Sequence, residues 1–122
     1  MHNIKLLHQK FIVVADTKTN ELLEIFYDIN LPSMHIELFK AAEAIWKKKN
    51  RNIYCRGGGM VAIIDNYIVF YNKSGHFGRY MDEEVFALVR EHKDFKDRAY
   101  TIISKAGAQD PFELVRQQKI KK

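Results

Sequence analysis

Histidine is the side chain best suited to moving a proton near neutral pH, and this chain carries five of them. His35 stands apart because it follows Pro32-Ser33-Met34, which reads as the start of a helix with Ser33 as its N-cap. The positive end of a helix disfavours imidazolium, so the ring would stay neutral and suit work as a base or nucleophile. A competing reading is a ring in phase with Leu38, Phe39 and Ala42, packed on the core and satisfied by one hydrogen bond. His2 and His8 lie near the start of the chain, His92 ends a predicted helix, and His76 falls in a loop.

Five of the six glycines occur in two places, Gly57-Gly58-Gly59 and Ser74-Gly75-His76-Phe77-Gly78. A Ser-Gly-X-X-Gly segment between a strand and a helix can turn successive backbone N–H groups inward, making a concave anion site with the serine hydroxyl as a further donor. The alternative is a plain loop that needs glycine at positive φ. Neither Gly-X-Gly-X-X-Gly nor a Walker lysine motif is present, so nucleotide binding has little support.

No metal or other cofactor is expected. The chain has one cysteine, no His-Glu-X-X-His and no histidine pair at i, i+4. Cys55 falls inside a predicted strand, where a small buried hydrophobe explains it better than a nucleophile does.

These groups must be held by a single domain spanning residues 1–122. The chain is 47% hydrophobic and 29% charged, too apolar for disorder and too short for two ordinary domains. At this length roughly two thirds of the unfolded surface can be buried, enough for a core without staples. No apolar run approaches the ~18 residues of a membrane span, and the lone cysteine allows no intrachain disulfide, so a soluble, reducing, cytoplasmic setting is expected. The net charge of +5 comes from two short stretches: Lys47, Lys48, Lys49 and Arg51, then Arg116, Lys119, Lys121 and Lys122. Elsewhere 12 basic residues face 15 acidic ones, so the basic stretches read as a solvated helix end and a chain end, and nucleic-acid binding is disfavoured.

The pattern predicts strands over Lys10–Ala15 and Glu21–Asp28, and a helix to about Lys49 with Leu38, Ala42 and Ile45 facing inward. It then predicts separate strands over Ile53–Arg56 and Met60–Ile64 on either side of the triple glycine. Asp65-Asn66 turns the chain into a strand over Tyr67–Tyr71. Asp82 is expected to cap a second helix reaching about His92, with Val85, Phe86 and Val89 as its apolar stripe. A last strand over Tyr100–Ser104 precedes a short basic helix opened by Asp110-Pro111. The fold class is α+β: a mixed, largely antiparallel sheet packed with two main helices and a short C-terminal helix.

These residues also carry a family resemblance. Tyr54-Cys55-Arg56-Gly57-Gly58-Gly59, then Ile68 to Ser74, then Phe77-Gly78 resemble the small phosphohistidine phosphatases of the Janus/Ocnus family. Met34-His35-Ile36-Glu37-Leu38-Phe39 is similar to the family's segment around its catalytic histidine, and Lys10-Phe11-Ile12-Val13-Val14 to its first strand. The likeness covers about residues 10–104 and leaves 105–122 as a C-terminal extension. It implies metal-independent hydrolysis of a phosphoramidate P–N bond, with His35 as general base. Ser74, Gly75 and His76 would form the phosphate-holding loop, and Lys10 would contact substrate. The implied partner is a phosphohistidine-bearing protein or a small phosphoramidate, with no membrane and a monomeric chain. Two arginine positions of the family hold Tyr27 and Met60 here, which leaves Arg56 and Arg79 as possible auxiliaries. A module that binds phosphoprotein or another anion with weakened catalysis is the alternative function.

Overall fold

The computed structural model describes residues 7–28, 34–92, 95–97, 100–104 and 110–120. Five strands and three helices alternate as β1 (Leu7–Asp16), β2 (Leu22–Phe26), α1 (His35–Lys47), β3 (Ile53–Ile64), β4 (Tyr67–Tyr71), α2 (Asp82–Val89), β5 (Tyr100–Ile103) and α3 (Pro111–Ile120). The strand order is β2-β1-β3-β4-β5. The first three pairings are antiparallel, and β4 pairs with β5 in parallel across the α2 crossover. This is the expected α+β class.

Strand β1 reads as a continuous apolar run because it is covered on both faces. Phe11 and Val13 enter one cluster with Ile25, Val61, Ile63, Ile68, Phe70 and the α2 residues Val85, Leu88 and Val89. Ile12 and Val14 point the other way, onto Leu38 and Ala42 of α1. On that second face α3 adds Val115 over Ala62, Ile64, Val69 and Tyr71. One helix therefore covers one face, and two share the other. Among the described residues, no helix is long and apolar enough to cross a membrane.

Two turns rest on local chemistry. Asp16 ends β1, and its carboxylate accepts the N–H groups of Lys18 at 2.7 Å and Thr19 at 3.1 Å. Asp65 takes φ +53 in the two-residue turn joining β3 to β4.

Several expectations need correction. The triple glycine does not separate two strands, for β3 runs unbroken through it. A register shift places a bulge at Arg56, where Val13 faces Gly57 and Val14 faces Cys55. Ser33 lies outside the described residues; the N-cap of α1 is Met34, without a side-chain cap bond. Met81 likewise precedes α2, and Asp82 is its first helical residue rather than its cap. Ile45 and Phe86 were expected on the inner stripes, yet both are exposed, and Leu88 fills the inward position on α2. With β-strands on one side only, each helix buries a narrower stripe than the apolar spacing offers.

Candidate functional site

His35 is the first residue of α1 and is only 8% exposed. Its Nε2 lies 2.9 Å from the carbonyl oxygen of Gly59. A carbonyl only accepts, so Nε2 carries the proton and donates it, leaving Nδ1 as the basic nitrogen of the neutral ring. Nδ1 has no hydrogen-bond partner among the described residues. Burial pushes the imidazole below its ordinary pKa and the nearby Lys10 charge pushes the same way, against an opposing contribution from the Gly59 bond. Both sequence readings of His35 describe this ring in part: it is buried and held by one bond, and its pKa is lowered, which favours the neutral form.

An open pocket of about 470 Å³ gathers Lys10, Met34, His35, Ile36, Gly75 and His76. Lys10 reaches it from β1, His35 from the start of α1, and Gly75 and His76 from the loop after β4. Residues paired directly across antiparallel strands share a face, and Lys10, Met60 and Tyr71 form such a row across β1, β3 and β4. At Met60 and Tyr71 the row joins the area covered by α3.

The loop itself is anchored by backbone. Gly58 N–H donates to Gly78 at 3.0 Å, Ser74 N–H to Gly58 at 3.0 Å, and Gly78 N–H to Ser74 at 3.0 Å. The loop therefore lies across the triple glycine and is tied to the strand that receives His35.

Here the structure differs from the expected anion nest. Ser74 is 1% exposed, and its Oγ accepts the N–H groups of His76 at 3.2 Å and Phe77 at 3.0 Å. Those two amides close a turn on the serine instead of facing the pocket, and Ser74 holds the loop from beneath. The Gly75 N–H has no acceptor among the described residues. Neither do the N–H groups of His35 and Ile36, because a first helical turn has no preceding turn to supply carbonyls. Met34 and Ile36 are the lining residues that sequence reasoning missed; the helix-start signal in Pro32-Ser33 could have pointed to the first-turn amides beside His35.

The two candidate auxiliary arginines are brought elsewhere. Arg56 turns toward α2, on the opposite face of the sheet from His35, and pairs with Glu84 at 2.5 Å and with the Tyr54 hydroxyl at 2.7 Å. The bulge at this position sets that direction. Arg79 donates to Asp82 at 2.8 Å, to the Ser104 carbonyl at 2.8 Å and to the Tyr80 carbonyl at 3.1 Å. Tyr27 also packs toward α2, stacked near His92 and Phe95. Met60 lies opposite Lys10 in the β1–β3 ladder and supplies thioether surface, not charge.

Burial pushes the Cys55 thiol up to about 11, and its Sγ contacts the Gly57 carbonyl at 3.4 Å, so nucleophilic thiolate is scarce at neutral pH. Among the described residues, no three His, Cys, Asp or Glu side chains cluster where they could hold a metal ion. No family model matches the chain, and no curated protein matches it significantly.

Proposed function

We propose that this chain is a metal-independent protein phosphohistidine phosphatase, hydrolysing a P–N bond with His35 as general base. The observation that carries the reading is the hydrogen bond from His35 Nε2 to Gly59, which leaves a neutral basic nitrogen in a pocket shared with a lysine and an anchored loop. Nδ1 takes a proton from water as the oxygen attacks phosphorus. Lys10, the N–H of Gly75 and the first amides of α1 offer positive charge and donors to the phosphoryl oxygens. Positioning and a base go far toward breaking a P–N bond, which is labile once its nitrogen is protonated.

The substrate is a phosphohistidine-bearing protein or small phosphoramidate, handled by a monomeric chain in the cytoplasm. The free Cys55 suits a reducing compartment. A second reading is favoured by the engagement of Arg56 and Arg79 with carboxylates and carbonyls: a module that binds phosphoprotein or another anion with little turnover.

A phosphohistidine hydrolysis assay in the presence of chelator separates these readings. The wild type is expected to turn over without added metal, and His35→Ala to lose roughly a hundredfold or more while still binding phosphate. Binding without turnover in the wild type favours the module. Full turnover by a folded His35→Ala, or activity that depends on one divalent metal, overturns the proposed mechanism.

A further inference from the structure

Two imidazoles enter the pocket from different elements, His35 from α1 and His76 from the Ser74–Gly78 loop. Their surroundings are unlike. His35 is nearly buried and bonded to backbone, whereas His76 is exposed and in contact with solvent. His76 is nonetheless held in place: its N–H is bonded to Ser74 Oγ, and its ring packs edge-on to Phe77 with centroids 4.6 Å apart. Phe77 packs in turn against Phe39 at 5.7 Å, one turn of α1 beyond His35. The aromatic pair couples the loop to the helix that carries the proposed base.

We infer that His76 is the general acid of this site, protonating the leaving nitrogen as the P–N bond breaks. The inference rests on the phosphatase reading and deepens it. An imidazole expelled without a proton would leave as an anion, which makes a neutral-pH donor valuable for this substrate class. With His35 assigned as base, the other side chains in the pocket that carry acidic protons are Lys10 and His76. Of the two, the imidazole is the kind of side chain suited to passing a proton near neutral pH, which makes histidine the better matched acid. Among the described residues, the other titratable side chains lining the pocket are Lys10 from β1 and His35 from α1, and the loop's own segment carries Lys73 and Arg79, the latter paired to Asp82.

The step balances. Water oxygen bonds to phosphorus and its proton passes to His35 Nδ1. The P–N electron pair goes to the departing imidazole nitrogen, which takes the ring proton of His76. Inorganic phosphate and a neutral substrate histidine are released, and solvent returns a proton to His76 and removes one from His35.

The test is steady-state hydrolysis of a phosphohistidine peptide by wild type and His76→Ala across a pH range, with and without imidazole in the buffer. The expected result is a fall in kcat of about a hundredfold with KM nearly unchanged. The alkaline limb of the kcat profile should disappear, and added imidazole should restore part of the rate. An unchanged kcat, or a loss confined to KM, overturns the general-acid role. If the wild type itself fails to hydrolyse the peptide, the phosphatase reading falls and this inference falls with it; a fully active His76→Ala beside an active wild type removes this inference alone.

Discussion

A β-carbon placed on Gly58 would lie 3.1 Å from Cδ2 of His35, so the middle glycine of the triple is the floor on which the proposed base rests. The same β-carbon would meet the Phe11 carbonyl oxygen at 2.5 Å, on a neighbouring strand that cannot easily retreat. Gly58→Ala is therefore expected to cost about 1–3 kcal/mol through overpacking, and to lower turnover per folded molecule by displacing the ring. Denaturant unfolding and kinetics on the same sample check both effects. A variant of wild-type stability and activity would show that neither neighbour constrains this position.

The depressed pKa of His35 sets the direction of two pH effects. A base must be neutral, so kcat should hold as pH falls through the ordinary imidazole value near about 6.5 and decline only below it. Stability follows the same group. Above the unfolded pKa the ring is neutral in both states; below it the unfolded chain takes up a proton that the folded chain resists. Stability attributable to His35 is thus fully present above about 6.5 and is lost as pH falls toward the lower folded value. Titration of the ring followed by NMR checks the shift, and a midpoint above that of a free imidazole would contradict it.

Ser74→Ala tests a structural serine against one that touches phosphate. The substitution removes the acceptor for two half-buried N–H groups, at about 1 kcal/mol for each lost hydrogen bond. Faster amide hydrogen exchange at His76 and Phe77 is expected, together with weaker phosphate binding as the loop loosens. Unchanged exchange combined with lost phosphate binding would place the hydroxyl in direct contact with the anion.

Arg56→Gln and Arg79→Gln should lower the melting temperature and spare turnover per folded molecule, since both guanidinium groups are spent on Glu84, Asp82 and backbone carbonyls. The Arg56 guanidinium is held strongly protonated by its bond to Glu84. Loss of turnover at unchanged stability would assign that arginine to the pocket after all.

What could be read from residues alone was what neighbours in sequence decide. The unbroken apolar run of β1, the Asp65-Asn66 turn and the existence of a helix that holds His35 in its first turn follow from periodicity, turn geometry and steric preference over a few positions. Lys10, His35, Gly75 and His76, singled out by residue type and motif, line one pocket. Tertiary structure decided the rest, because it depends on pairs far apart in the chain. The triple glycine reads as a break only when it is viewed alone; in the sheet it gives β3 the clearance to pass Phe11, His35 and the Ser74 loop. Arg56 and Arg79 carry the same charge wherever they point, and only the bulge and the position of α2 turn them onto Glu84 and Asp82. Ser74 likewise has a hydroxyl fit for an anion or for its own loop, and burial beneath His76 and Phe77 commits it to the loop.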